Sequence, residues 1–160
     1  MEESYRLEIR DILMHPINKD VAHFTGTKNI FEGEVVKRSK EGLWISWQGG
    51  VVSAQAFDYD VGDRVCFCIR PEHVMLIRPN RMLRRPVKEN LLNGVIVDDI
   101  DRGIAHTLVF EAEGGILLEI DIPKHVHERL EVKNDQKAKV SLKRNAIHVF
   151  DYKFTSTKHR

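Results

Sequence analysis

The sequence predicts a mainly all-β fold built from two small OB-like barrels, preceded by a short helical segment. Three observations predict it. From Asn29 onward the apolar segments are short, β-branched and separated by glycine or proline. The same spacing of strands and turns occurs twice in the chain. Each unit is too small to cover its own sheet edges unless the sheet closes or packs on another.

The first 28 residues read differently. Tyr5, Leu7, Ile9, Ile12 and Leu13 follow a loose helical stripe that Pro16 stops. A second short helix is expected from Asn18, as N-cap, to Phe24, with Gly26 near its end. Strands are then expected at Ile30–Lys37, Leu43–Trp47 and Val51–Phe57, with a turn at Gly49-Gly50. Asp60 to Asp63 forms a further turn. Val65–Ile69 and Val74–Ile77 follow, divided by Arg70-Pro71. The basic stretch from Asn80, with Arg81, Arg84 and Arg85, carries little periodicity and reads as a linker.

A second set of strands covers Leu91–Val97, Ala105–Glu113 and Ile116–Ile122, with a hairpin turn at Gly114-Gly115. Pro123–Leu130 reads as a short helix with Val126 and Leu130 on one face. After a turn at Asn134-Asp135, Lys137–Leu142 and Ala146–Tyr152 complete the set. The two sets align. Asn29-x-x-x-Gly33 matches Asn90-x-x-x-Gly94, and Gly42 matches Gly103. Val65–Arg70 matches Ala138–Lys143, and Val74-Met-Leu matches Ile147-His-Val149. The second copy carries about 12 extra residues, which the helical stretch absorbs. The expected division is therefore a helical segment over 1–28, a first copy over 29–79, a linker over 80–89, a second copy over 90–152 and a tail over 153–160. The barrels either pack side by side or exchange a strand.

Composition narrows the function. The chain has 160 residues and a formal net charge of +1, so no large basic field marks it as a nucleic-acid binder. No apolar run is long enough to span a bilayer, and the N-terminus has no secretory pattern. The two cysteines, Cys66 and Cys68, lie two apart on one strand, where disulfide geometry is poor, and fit a reducing cytoplasm. No G-x-x-x-x-G-K-[ST] phosphate loop, nucleophile elbow or four-ligand zinc spacing occurs, so no catalytic residue and no metal are expected. His125-x-His127 is the most suggestive metal-like pair; the histidines are otherwise expected to be exposed or partly packed.

Four stretches resemble a known family. Met14–Phe24 is similar to the end of the ATPase domain of ABC importer subunits, and Val21–Val35 to the stretch that follows it. Cys68–Ile77, with Arg70-Pro71-Glu72-His73, resembles the TOBE repeat of those proteins. The second copy resembles the Mop version of the repeat, as in molybdate- and tungstate-type importers. The resemblance implies a regulatory, dimer-forming tail that acts with an ATPase domain and a permease at the cytoplasmic face of the membrane. It also implies an oxyanion ligand such as molybdate or tungstate.

The implied ligand set is only partly present. In the second copy Asn90 and Lys143 match, but Val87 stands at the family's serine, Glu89 at its arginine, and Pro123 and Val126 near its threonine and serine. In the first copy Lys28 stands at the arginine, Asn29 is kept, Arg70 stands at the lysine, and Thr25 and Thr27 flank the serine position at Gly26. The simpler reading of Asn29 and Asn90 is that each ties down a turn, and of Gly33 and Gly94 that each permits a bulge. The rival function is single-strand nucleic-acid binding by an OB-like barrel, through Trp44, Trp47, Phe57, Tyr59 and Phe67. Acidic residues among these aromatics, and the near-neutral charge, make nucleic acid the less favoured partner.

Overall fold

A computed structural model describes residues 29–77 and 89–152. The N-terminal helical segment, the basic linker and the tail lie outside the described residues, as do Thr25, Thr27 and Lys28.

The described chain is almost wholly strand. In order come β1 (Asn29–Ser39), β2 (Gly42–Trp47), β3 (Gly50–Ala54), β4 (Arg64–Ile69), β5 (Val74–Ile77), β6 (Leu91–Asp101), β7 (Ala105–Ala112), β8 (Ile116–Pro123), helix α1 (Lys124–Leu130), β9 (Lys137–Leu142) and β10 (His148–Asp151). Single 3-10 turns at Pro71–His73 and Arg144–Ala146 lead into β5 and β10. Two five-stranded antiparallel sheets result, ordered β10-β4-β1-β2-β3 and β5-β9-β6-β7-β8.

The order contains a reciprocal exchange. β5 leaves the sheet of its own copy and pairs with β9, Met75 opposite Ser141. β10 returns to pair with β4, His148 opposite Cys68. One apolar core joins the two sheets, from Leu43, Ile45 and Phe67 to Leu108, Phe110, Leu118 and Ile120. All seven are fully buried. A larger shared core is what two units of this size need.

The internal alignment reappears in the backbone. β1 and β6 both slip register, between Val35 and Lys37 and between Ile96 and Asp98. At each slip the strand bonds to the turn before β4 or β9: Gly62 N–H donates to Val35 C=O, and Asp135 N–H to Ile96 C=O. Both donors hold positive φ, +97° and +63°, which glycine adopts freely and aspartate tolerates. The bulges therefore sit three residues beyond the glycines expected to carry them. Gly33 and Gly94 serve close approach instead. A Cβ on Gly94 would fall 2.2 Å from the Glu111 carbonyl oxygen, and one on Gly33 2.6 Å from that of Ser46.

Candidate functional site

The two matched asparagines are placed first. Asn29 is 1% exposed at the start of β1. Its amide nitrogen donates to the Glu119 carbonyl at 2.8 Å, and its amide oxygen accepts from the Glu119 N–H at 2.8 Å. Asn90, at φ +46°, does the same to Ser53 at 2.8 and 2.9 Å, and donates also to the Leu142 carbonyl at 2.8 Å. Ser53 is on β3 and Glu119 on β8, the outer strand of the opposite sheet in each case. A side-chain amide has one donor and one acceptor side, as a peptide does. Each asparagine thus acts as a short stretch of added strand, sealing an edge of the other copy. They tie down more than the local turns expected of them.

Arg70 pairs with Glu72, Nε to Oε1 at 2.5 Å. Burial alone would raise the Glu72 carboxyl. The bond and charge from Arg70 outweigh it and hold the group below its ordinary value. Lys143 lies where β9 gives way to the 3-10 turn and lines an open cavity of about 540 Å³. Pro123 and Val126 line the same cavity, with Glu72, His73 and Asp121. The three second-copy positions to which the resemblance assigns threonine, serine and lysine do converge in space. Only the lysine brings a group that binds an anion, and two carboxylates share its cavity. Asp121 accepts a hydrogen bond from the Thr107 hydroxyl at 2.7 Å. Glu89, standing at the expected arginine, has a structural use: its carboxylate accepts from the Arg144 N–H at 2.9 Å and holds the 3-10 turn.

The aromatics of the first copy are largely interior. Phe67 is fully buried, Trp47 is 9% exposed, and their rings meet edge-on at 5.1 Å. Trp44 is overlain by Lys37, 4.5 Å from the ring centre, and flanked by Arg144. Only Phe57, at 49% exposure, offers a large free face among the five.

A further cluster was not found by spacing. Asp99 on β6, His106 on β7 and His127 on α1 converge: His106 Nδ1 is 2.8 Å from Asp99 Oδ1, and His127 Nε2 is 2.5 Å from Asp99 Oδ2. The two imidazoles stack at 3.6 Å. Burial would raise the Asp99 carboxyl, but the hydrogen bonds and positive charge of the two histidines hold it below its ordinary value. His125, the other half of the suggestive pair, is exposed and takes no part. Residues two apart on a helix point to different faces.

Cys66 and Cys68 are free thiols, buried with Phe150 on the far side of the first sheet. Burial pushes the Cys68 thiol up to about 12, with Cys66 adding to the effect and Arg70 opposing it. At pH 8 the native protein is expected to react with a thiol reagent at least ~1,000-fold more slowly than the unfolded chain. Native labelling at the unfolded rate would contradict this burial. Stability is expected to fall as pH rises from about 9 to about 12, because the unfolded chain releases the Cys68 proton first. In Cys68→Ala that part of the decline is absent.

No family model matches the chain. It is 29% identical over 115 residues to the spermidine/putrescine import ATP-binding protein PotA of Roseobacter denitrificans, a match covering 71% of this chain. The chain spans 30% of that relative's length. Among solved structures it superposes on the cytoplasmic molybdate-binding protein ModG, crystallised with molybdate bound, with a TM-score of 0.70. That likeness covers 79% of this chain and 97% of the ModG chain, at 17% identity. The fold is that of the ModG chain. Within this fold the Asn clasps, the exchanged strands and the Lys143 cavity all fall at junctions between the copies. Among the described residues no helix is long and apolar enough to cross a membrane.

Proposed function

We propose that the chain is a non-catalytic regulatory and dimer-forming region of an ABC importer ATP-binding subunit, working at the cytoplasmic face of the membrane beside an ATPase domain and a permease. In this reading residues 29–79 and 90–152 are the two copies, and 80–89 joins them. The observation that carries the reading is the agreement of two independent likenesses over one interlocked unit. The sequence matches part of an import ATP-binding protein, and the fold matches a molybdate-binding protein over nearly its whole length. The interlock suits regulation: a ligand or partner that favours one arrangement of one copy must also act on the other. Sedimentation equilibrium across a range of concentrations tests the assembly. A dimer supports it, and a strict monomer at the highest concentration contradicts it.

The ligand class to test is a molybdate- or tungstate-type oxyanion. The second copy's cavity opposes it, because Glu72 and Asp121 face the same space as Lys143. In this reading Thr25, Thr27, Lys28 and Arg70 of the first copy carry the sensing, while Asn29, its amide already committed to Glu119, holds the clasp beside them. Tungstate is expected to raise the melting temperature at micromolar to millimolar concentration. Lys28→Ala should abolish the rise and Lys143→Ala should leave it unchanged. Absence of any shift at millimolar tungstate removes the oxyanion from the proposal and leaves the regulatory role to partner contacts.

A further inference from the structure

The Asp99, His106 and His127 cluster is the strongest unassigned constellation in the described residues. We propose that it is a binding site for a borderline divalent transition metal, of the zinc, cobalt or nickel class. Three ligand atoms, one from each residue, lie within 4.8 Å of one another. Two imidazoles and one carboxylate suit these metals rather than magnesium or calcium, which prefer all-oxygen shells. The contacts of 2.8 and 2.5 Å are hydrogen bonds from ring N–H groups to the carboxylate. An ion bonded at about 2.0–2.2 Å to each ligand atom would replace those two protons, and the carboxylate would draw back by a fraction of an ångström. Both nitrogens already face the Asp99 carboxylate, one toward each oxygen. The rings, stacked only 13° from parallel, would tilt apart to bring both in-plane lone pairs onto one ion.

A carboxylate also stands near the far ring nitrogen of His106: Asp101 Oδ1 is 3.9 Å from Nε2, beyond hydrogen-bond distance. Moved within reach of that nitrogen on metal binding, it would take the outer position common to metal-bound histidines, where it orients the ring and raises its basicity. The cluster belongs to the second copy alone. By strand register Asp99 corresponds to Arg38, since each stands opposite a buried leucine, Leu108 and Leu43. Arg38 is instead paired with Asp60. α1, which supplies His127, lies in the stretch the first copy lacks. Val126 and Leu130 of α1 wall the Lys143 cavity, so a bound ion would fix that wall against β6 and β7.

The test is titration of the metal-free full chain with Co(II) and Zn(II) near neutral pH, followed by visible absorption for cobalt and by melting temperature for both. The expected result is one ion per chain at micromolar concentration, a rise in melting temperature, and paramagnetic broadening by Co(II) of the His106 and His127 ring resonances. His127→Gln is expected to weaken binding by ~100-fold or more, whereas His125→Gln leaves it unchanged. The broadening experiment needs no variant and stands if a substitution fails to fold. Absence of binding at 1 mM metal, broadening confined to other histidines, or affinity unchanged in His127→Gln overturns the proposal.

Discussion

Asn90→Ala is expected to destabilise the protein by about 2–4 kcal/mol, measured by denaturant unfolding. The substitution removes two hydrogen bonds to the Ser53 backbone, a longer one from the Ser53 hydroxyl, and one to the Leu142 carbonyl. The abandoned backbone groups are part-buried, and each such group left unpaired costs roughly 1–3 kcal/mol. Alanine also fits the positive φ of this position less well than asparagine does. Asn29→Ala should cost a similar amount, since Asn29 makes the same paired contact with Glu119 and is more deeply buried. A change of under about 0.5 kcal/mol at either position, the range of ordinary surface substitutions, would show that the clasps do not hold the copies together.

Gly94→Val carries the second large expectation, a loss of about 3 kcal/mol or more. The added Cβ would meet the Glu111 carbonyl oxygen at 2.2 Å and the Ala112 Cα at 2.9 Å. These are backbone atoms of the neighbouring strand, so no rotamer change relieves the clash. β6 and β7 would have to part where Gly94 is paired with Ala112. Near-native stability for Gly94→Val would mean that the strands approach less closely than this.

The sequence makes most of the strands legible because their apolar residues alternate and their ends carry glycine, proline or aspartate. β5 and β9 fall at the expected residues, and the other strands differ from expectation only near their ends. The sequence leaves the exchange of β5 and β10 open. Each is a four-residue strand after a similar 3-10 turn, and its side-chain pattern serves equally well against β4 or β9. Only the shared core decides between them. The Asn-x-x-x-Gly frame identified the right residues, but their partners lie 90 and 37 positions away, beyond any local rule. The metal-like cluster was hidden for the same reason. Its members come from β6, β7 and α1, at no recognised ligand spacing, while the visible pair His125-x-His127 straddles two helix faces.

The central claim is that the two copies form one interlocked unit, so that an event in either is felt in both. Both tryptophans of the chain, Trp44 and Trp47, lie in β2 of the first sheet, so their fluorescence follows a sheet to which Leu118 does not belong. Leu118 is fully buried in β8 of the second sheet, and Leu118→Ala is expected to cost about 2–5 kcal/mol. The decisive measurement is denaturant unfolding of Leu118→Ala, followed together by tryptophan fluorescence and by far-ultraviolet circular dichroism. Coincident transitions, both moved to lower denaturant by the same amount, are the predicted result. A tryptophan transition that stays at the wild-type midpoint while the dichroism transition splits would contradict the claim.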